Sequence, residues 1–200
     1  MHHAFNAMTL AAENDGLSLT IASGFRDFER QLSIWNNKFT GKISVKDNRN
    51  NIVEIKALSD KEKLDAILLF SALPGASRHH WGTDIDVYAE NLLSENQSLQ
   101  LETWEYESNG PFTKLSQWLA LNSSAFDFYF PYDKYRGGVA VEPWHLSYAP
   151  LAEKFQHQLS IELLSETIVN SNIQGKKAIL NNLDDIFNRY IINVGEPNNE

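Results

Sequence analysis

The stretch SRHHWGTDID, residues 77–86, brings two histidines and two aspartates within ten positions of the chain. Trp81 and Ile85 stand among them, so the segment mixes groups that prefer water with groups that prefer the protein interior. Ionisable side chains enter the interior only when they are paired, hydrogen-bonded or bound to a metal ion. The segment is therefore either a solvated turn or part of a metal site, and more distant residues decide between the two.

The run Ile85–Tyr88 has the pattern of a β-strand, in which side chains alternate between two faces. Asp84 and Asp86 then share one face, and the turn expected at Gly82 can return His79 to that face. Two ligands make a poor zinc site, because a catalytic zinc ion takes three protein ligands and keeps one position open for water. A third ligand has to come from elsewhere in the chain.

The segment EPWH, residues 142–145, offers His145 as that third ligand. Glu142 lies three positions earlier, an offset that places two residues on opposite faces of a regular strand. Pro143 disfavours regular strand pairing, so a bend there can bring both side chains into one cleft. A carboxylate beside an activated water is what a metal hydrolase uses as general base. The HExxH pattern of helical zinc peptidases is absent.

Simpler explanations of the same residues stay open at this level. Histidines and aspartates in a loop are commonly solvated or capping groups, and EPWH can be a turn around a packed tryptophan. Arg26 is on base rates a surface ion-pairing residue, and Tyr129 a half-buried aromatic of a strand. His80, adjacent to His79, is expected to point away from the metal candidates.

Three separated motifs occur together and in order. They are Ser-x-His-x-x-Gly-x-x-x-Asp at residues 77–86, EPWH at residues 142–145, and Ser-Gly-Phe-Arg at residues 23–26 with Gln31 five positions after the arginine. In this respect the chain resembles the VanY-type zinc D-alanyl-D-alanine carboxypeptidases, over about residues 4–150. It departs from the family pattern at Asp84, where the family has alanine.

The resemblance implies a Zn²⁺ cofactor bound by His79, Asp86 and His145. It also implies that Glu142 is the general base and that Arg26 binds substrate oxygen and steadies the anionic intermediate. Further residues are similar to those that line the pocket for the terminal part of the peptide: Gln31, Ser77 and Tyr129.

Asp84 has three possible roles at this level. On the face of Asp86 it can add negative charge near the metal, compete as a ligand, or orient a ligand histidine from behind.

The implied function is hydrolysis of the C-terminal residue of peptidoglycan stem peptides. Three peptidase alternatives share the fold: an L,D-carboxypeptidase, a D-Ala-D-Ala dipeptidase and a cell-wall endopeptidase. A non-catalytic peptidoglycan-binding module is a fourth alternative, which the presence of Glu142 argues against because a binder needs no base.

The substrate implies a periplasmic or cell-envelope location, although no signal peptide is recognisable in the chain. A helix expected from Ala4 leaves no lead-in, which favours a chain trimmed from a longer one.

Composition excludes several classes of function. A formal net charge of -9 and a sequence pI near 5.1 argue against nucleic acid as a partner. The absence of cysteine excludes disulfides, thiolate ligands and a thiol nucleophile. No apolar run approaches the roughly 20 residues that a membrane span requires. The sequence gives no basis for assigning an oligomeric state.

The order of elements predicts an α+β fold. Helices are expected at Ala4–Asn14, Asp27–Phe39, Ser59–Phe70 and Phe112–Ser123, and strands at Leu17–Ala22, Ile85–Tyr88, Phe126–Phe130 and Val139–Leu146. We expect one compact domain, a small antiparallel sheet flanked by helices, and the resemblance implies the hedgehog/DD-peptidase-like arrangement. Residues 1–150 are the expected zinc peptidase domain. Residues 151–200 are the expected C-terminal helical extension, packed on the same domain.

Overall fold

The computed structural model describes residues 1–197 of the chain. The α-helices are α1 (His2–Asn14), α2 (Phe28–Phe39), α3 (Asp60–Leu68), α4 (Thr103–Tyr106), α5 (Thr113–Asn122), α6 (Ala149–Gln158), α7 (Ile161–Asn170), α8 (Lys176–Asn181) and α9 (Leu183–Ile186). The β-strands are β1 (Leu19–Ser23), β2 (Val45–Lys46), β3 (Ile52–Val53), β4 (Asp84–Ala89), β5 (Phe128–Tyr129) and β6 (His145–Tyr148). Within residues 1–197, every helix is too short or too polar to cross a bilayer.

Helices α2 and α3 begin at residues whose side chains cap the free N–H groups of the first turn. The Asp27 carboxylate caps α2. Ser59 and Glu62 form a reciprocal capping box at α3, as their spacing predicts. A cap of this kind stabilises a helix by about 1 kcal/mol. The two helices that the sequence predicts at these positions are therefore present and begin where expected.

Four strands form an antiparallel sheet in the order β1-β4-β6-β5. In the pairing of β4 with β6, Asp86 lies opposite His145 and Asp84 lies opposite Ser147. A slip of one residue would turn the apolar side chains of β4 to the polar face, so burial fixes this register. The predicted α+β fold with a small antiparallel sheet and flanking helices is confirmed.

One face of this sheet is covered by apolar side chains. Ile85 and Val87 of β4 pack in a cluster with Met8 of α1 and with Leu115 and Leu119 of α5. Because side chains alternate along a strand, burial of these residues turns the aspartates of β4 to the opposite face. The sheet thereby delivers its polar residues to a cleft on that side.

A second apolar cluster joins α2 and α3 to the C-terminal helices. Trp35 of α2, Leu64 of α3, Ile168 of α7 and Ile186 of α9 belong to it, and all four are 0% exposed. The Trp35 indole also donates a hydrogen bond to the carbonyl of Gln174, 3.0 Å away. The helices after residue 150 thus pack on the rest of the chain, while the division at residue 150 stays a prediction and residues 198–200 lie outside the described range.

The strand predicted at Val139–Leu146 is wrong over most of its length, since regular pairing starts only at His145. Pro143 has no N–H to give to a neighbouring strand. The Glu142 N–H bonds instead to the carbonyl of Tyr132, at 3.1 Å. The segment before His145 is therefore a loop whose backbone groups are satisfied outside the sheet.

Candidate metal centre

His79 lies on a short 3-10 helix, Arg78–Trp81, that directly precedes β4. Gly82 ends this helix with φ of +68°, a left-handed conformation that glycine adopts without strain. The reversal brings His79 back to the polar face of β4, where its Nε2 lies 3.4 Å from Asp86 Oδ2. The turn expected at Gly82 thus has the predicted effect.

His145 reaches the same point from β6, because it pairs directly with Asp86 across the sheet. Its Nδ1 lies 3.2 Å from Asp86 Oδ1, and its ring centre is 4.9 Å from that of His79. One ligand atom from each of the three residues lies within 4.8 Å of the others. The structure therefore brings together the three side chains that the sequence suggested as metal ligands.

The geometry of these atoms suits a divalent cation. A tetrahedral zinc ion with bonds of about 2.0–2.1 Å holds its ligand atoms roughly 3.3 Å apart. The contacts of 3.4 Å from His79 and 3.2 Å from His145 to Asp86 are close to that spacing. Among the described residues, Asp86 Oδ1 is also one of few buried polar atoms without a well-formed hydrogen bond. The three residues could hold a metal ion.

Both histidines have the ring nitrogen away from this point occupied. His79 Nδ1 lies 2.9 Å from the carbonyl of Gly24, and a carbonyl only accepts, so Nδ1 carries the proton. His145 Nε2 lies 3.0 Å from Asp84 Oδ1, where the carboxylate accepts in the same way. With a metal ion bound in place of a proton, the lone pairs of His79 Nε2 and His145 Nδ1 would be directed at the point that these nitrogens share with Asp86. This is the usual arrangement of histidines that ligate a metal.

Asp84 is held by its own set of partners behind the metal candidates. Its Oδ1 accepts from Arg78 Nε at 2.7 Å, and its Oδ2 accepts from the hydroxyls of Thr83 and Ser147 at 2.7 and 3.1 Å. With both oxygens engaged, Asp84 is not placed as a fourth ligand. Of the three roles left open by the sequence, orientation of His145 is the one its position fits.

Burial and pairing act together on the ionisation of this group. Burial alone would raise the pKa of Asp84, but the Arg78 guanidinium and the bond from His145 hold that pKa well below its usual range. Burial would lower the pKa of His145, yet its bonds to Asp84, Asp86 and Glu142 raise that pKa well above the ordinary value. The cluster of carboxylates thus favours positive charge at this point, which a proton or a metal ion can supply.

Glu142 stands beside the three candidates. Its Oε2 lies 3.2 Å from His145 Nδ1, and the residue is 8% exposed. The His145 N–H bonds to the Glu142 carbonyl at 3.1 Å, which closes a tight turn around Pro143. The bend expected at the proline is therefore present, and it places Glu142 and His145 in the same cleft.

Arg26 lines the same cleft and is held rigidly. Its Nη1 donates to Gln31 Oε1 and its Nη2 to Ser23 Oγ, both at 2.9 Å. Gln31 in turn donates to the carbonyl of Ala72 at 2.7 Å. Because Gln31 is only 1% exposed and both ends of its amide are engaged, the structure places it as a support for Arg26 rather than as part of the pocket wall.

Ser77 and Tyr129, the other two residues expected to line the pocket, differ in position. Ser77 does line the cleft. Tyr129 does not: it is buried on β5 and its hydroxyl accepts a 2.7 Å hydrogen bond from Arg78 Nη2. The buried Arg78 needs acceptors and uses the Tyr129 hydroxyl as one of them, so the role of Tyr129 toward a substrate stays a prediction.

His80 points away from the metal candidates, as expected. Its Nδ1 lies 2.6 Å from the Arg26 carbonyl, and its Nε2 accepts from the Gly75 N–H at 3.2 Å. Nδ1 thus ties the His79 segment to the backbone that carries Arg26, and Nε2 ties it to the turn at Gly75.

The cleft has a volume of about 1020 Å³, enough for a peptide longer than two residues. Among its lining residues, Tyr132 and Lys38 contact or approach the candidate site but were not predicted from the sequence to belong to it. The Tyr132 ring packs 4.9 Å from the ring of His145, and burial raises its pKa to about 12. Lys38 follows Gln31 by seven positions on α2, and that two-turn spacing is a signal that could have placed both on one face.

Comparison with known proteins agrees with the motifs. A family model described as VanY, D-alanyl-D-alanine carboxypeptidase, matches residues 1–151. An uncharacterized protein of Haemophilus influenzae is 45% identical over 122 residues, which are 60% of this chain and 93% of that protein. A D-alanyl-D-alanine carboxypeptidase of Enterococcus faecalis is 30% identical over 156 residues, which are 74% of this chain and 47% of that one. The chain thus spans about half the length of this named carboxypeptidase.

Two solved structures show the same fold. VanYB in complex with D-alanine-D-alanine is 25% identical with a TM-score of 0.53, covering 78% of this chain and 75% of that one. A mutant of the vancomycin-resistance D,D-pentapeptidase VanY in complex with Zn(II) is 26% identical with a TM-score of 0.52, covering 78% and 76%. The family-model match extends over more than half of the chain, from the first helix past the EPWH segment. The chain therefore belongs to the VanY family of D-alanyl-D-alanine carboxypeptidases.

Proposed function

We propose that this chain is a zinc-dependent D-alanyl-D-alanine carboxypeptidase that removes the C-terminal residue of peptidoglycan stem peptides. One observation carries the proposal: His79, Asp86 and His145 converge in a cleft that also presents Glu142, 3.2 Å from His145 Nδ1. A structural zinc site is usually closed by a fourth protein ligand, whereas a catalytic site keeps a position open. A Zn(II) complex and a D-alanine-D-alanine complex among the similar structures support the choice of metal and substrate.

The residues proposed to hold zinc are His79, Asp86 and His145. Two imidazole nitrogens and one carboxylate oxygen are a donor set that zinc accepts. Zinc bound there would supply a Lewis acid able to lower the pKa of a water molecule to about 7. The bonds from His79 to the Gly24 carbonyl and from His145 to Asp84 keep the two rings turned toward that position.

Glu142 is the proposed general base. Its carboxylate takes the proton from the attacking water and delivers it to the nitrogen of the departing residue, so one group serves both transfers. Partial burial limits the number of waters that compete for its oxygens. General acid–base catalysis of this kind contributes about 10²–10⁴ in rate.

Arg26 is the proposed donor to the oxyanion that forms when the peptide carbonyl is attacked. Its guanidinium is held by Ser23 and Gln31, so it needs no reorganisation as the negative charge develops. Burial lowers the pKa of Arg26, while Asp86 and Glu142 oppose that effect. An arginine keeps its charge under such conditions.

The proposed substrate implies a cell-envelope location, which stays a prediction. Other peptidases of similar fold differ in the bond they cut, and product masses from defined muropeptides separate a carboxypeptidase from an L,D-carboxypeptidase, a dipeptidase or an endopeptidase. A purely binding module would give no product at all.

The decisive variant is Glu142→Gln, which keeps the shape of the side chain and removes the base. We expect zinc content to stay near one per chain and hydrolysis of a peptide ending in D-Ala-D-Ala to fall by about 10²–10⁴. The matched control is Glu153→Gln, an exposed glutamate of α6, which should leave the rate unchanged. Retention of full activity by Glu142→Gln would exclude the assignment, as would full activity of the wild type after complete removal of zinc.

A further inference from the structure

Lys38 presents an ammonium group inside the catalytic cleft. It lies in the last turn of α2, and it lines the cleft together with Ile34, one turn earlier on the same helix. Its Nζ donates a hydrogen bond to Ser71 Oγ, and Ser71 also lines the cleft. The motifs that identify the family do not include this lysine.

The ammonium has unused capacity to bind an anion. It carries three N–H donors, and Ser71 accepts one of them. Among residues 1–197, Lys38 forms no ion pair with a carboxylate within 4.0 Å. Burial lowers the pKa of Lys38, with Glu142 opposing the effect and Arg26 adding to it. A partly buried cation without a counter-ion is costly unless a ligand supplies the negative charge.

The charged neighbours of Lys38 in the cleft indicate which anion it meets. Lys38 lies within electrostatic range of Glu142 and Arg26, the proposed base and oxyanion donor. The two terminal guanidinium nitrogens of Arg26 each donate a hydrogen bond, one to Gln31 and one to Ser23. The positive charge of Arg26 also interacts with Asp86 and Glu142. Five lysines and arginines line the cleft, of which Lys46 and Arg78 pair with Glu102 and Asp84, and Arg49 is exposed. Arg26 and Lys38 are the two that remain. Arg26 is the proposed donor to the oxyanion, which leaves Lys38 for a second negative group of the same substrate.

We propose that Lys38 and Ser71 bind the free α-carboxylate of the departing C-terminal residue, and that this contact makes the site select peptide ends. This inference rests on the proposed function and adds a specificity-determining residue to it. A carboxylate accepts from the ammonium and from the serine hydroxyl, whereas a C-terminal amide or an internal peptide bond brings no charge. An uncharged substrate would leave the ammonium buried without a counter-ion, and sites reject such analogues.

The test compares an acetylated peptide ending in D-Ala-D-Ala with the same peptide carrying a C-terminal amide. Wild type should cleave the acid with a kcat/KM about 10- to 100-fold higher than the amide, the usual range for a hydrogen bond to a charged group. Lys38→Met should lower the rate on the acid to about that on the amide, with zinc content unchanged. Lys38→Arg should restore part of the preference, and Lys42→Met, an exposed lysine after α2, should retain all of it.

Two outcomes would overturn the role of Lys38 while leaving the proposed function intact: equal cleavage of acid and amide by wild type, or an undiminished preference in Lys38→Met. If wild type with zinc cleaves neither peptide, the proposed function fails instead. Calorimetric binding of the acid peptide to Glu142→Gln, with and without Lys38→Met, then decides the role of Lys38. Affinity should fall about 10- to 100-fold with the added substitution, and equal affinity would refute the contact.

Discussion

Asp84 shows how one buried carboxylate can serve a neighbour on each side. It accepts from Arg78 Nε at 2.7 Å and lies 3.0 Å from His145 Nε2. Arg78 is buried as well and stacks 4.7 Å from the Trp81 ring centre. The departure from the family pattern at Asp84 therefore brings a buried cation with it, and the pair is fixed to a residue proposed to bind metal.

The first prediction concerns Asp84→Asn, which keeps the shape of the side chain and removes its charge. We expect unfolding free energy to fall by about 3–5 kcal/mol because Arg78 loses its buried counter-ion. We also expect zinc affinity to fall about 10- to 100-fold, because an amide fixes His145 less firmly than a carboxylate does. Denaturant unfolding and competition with a zinc-binding dye measure the two effects.

Asp133→Asn is the matched control, since Asp133 pairs with Arg136 at the surface. It should cost less than about 1 kcal/mol and leave zinc affinity unchanged. Reduced stability of Asp84→Asn with unaltered zinc affinity would assign Asp84 to the support of Arg78 alone.

At the scale of residues, residue types and their spacing predicted which side chains meet at the candidate metal site, but they did not predict the partners of other buried polar side chains. The three metal candidates could be grouped from the sequence because the expected turn and strands direct their side chains to one face of the sheet. These residues are His79, Asp86 and His145. Tyr129 could not be placed, because its position depends on Arg78, whose burial no local pattern indicates. Lys38 was missed for a similar reason, because a lysine near the end of a helix is ordinarily solvated. Only the packing of the whole chain directs its side chain into the cleft.

At the scale of elements, the site depends on the junction between the Arg78–Trp81 helix and β4. Gly82 joins them with φ of +68°, and a Cβ there would meet only Phe25 Cδ2 at 3.8 Å. Space is therefore available for alanine, and backbone strain alone would oppose it. The left-handed conformation costs an L-residue about 1–2 kcal/mol.

Gly82→Ala should lower unfolding free energy by about 1–2 kcal/mol. Without metal, the variant can relax the strained turn and gain about 1 kcal/mol. Zinc binding then has to force the turn back into the left-handed conformation, so zinc affinity should fall roughly fivefold. Gly137→Ala is the control, because Gly137 has φ of +88° with nothing within 4 Å of its Cβ position and lies outside the His79–Asp86 junction. It should lose similar stability and bind zinc normally; equal zinc affinities in both variants would contradict the role of the junction.

Element boundaries were predictable where local chemistry sets them, as at Asp27 and Ser59. The strand predicted at Val139–Leu146 failed because its apolar residues suggested pairing that its backbone does not make. The Glu142 N–H bonds to the Tyr132 carbonyl, a contact that depends on how two loops meet. The alternation of apolar and polar residues in a sequence cannot predict such a contact, because the pattern describes one segment and not the way two segments meet.

At the scale of the whole molecule, two apolar clusters flank the cleft. One lies between the sheet and helices α1 and α5, and the other joins α2 and α3 to the C-terminal helices. Helix α2 carries Lys38 in the wall of the cleft, Gln31 as the support of Arg26, and Trp35 in the second cluster. The C-terminal helices therefore support the element that holds part of the proposed substrate site. The sequence predicted that the C-terminal helices pack on the same domain but could not identify α2 and α3 as the elements they contact.

Ile168→Ala tests whether these helices are integral to the fold. Ile168 of α7 is 0% exposed, and truncation of a buried isoleucine to alanine costs about 2–5 kcal/mol. If the extension and the rest of the chain unfold together, this loss appears in a single transition, as it should for Leu64→Ala of α3 in the same cluster. The adjacent Val169 is 53% exposed, so Val169→Ala should change stability by no more than about 0.5 kcal/mol. Thermal unfolding followed by both tryptophan fluorescence and circular dichroism measures this, and two separate transitions, with Ile168→Ala shifting only one, would show that residues 151–197 fold independently.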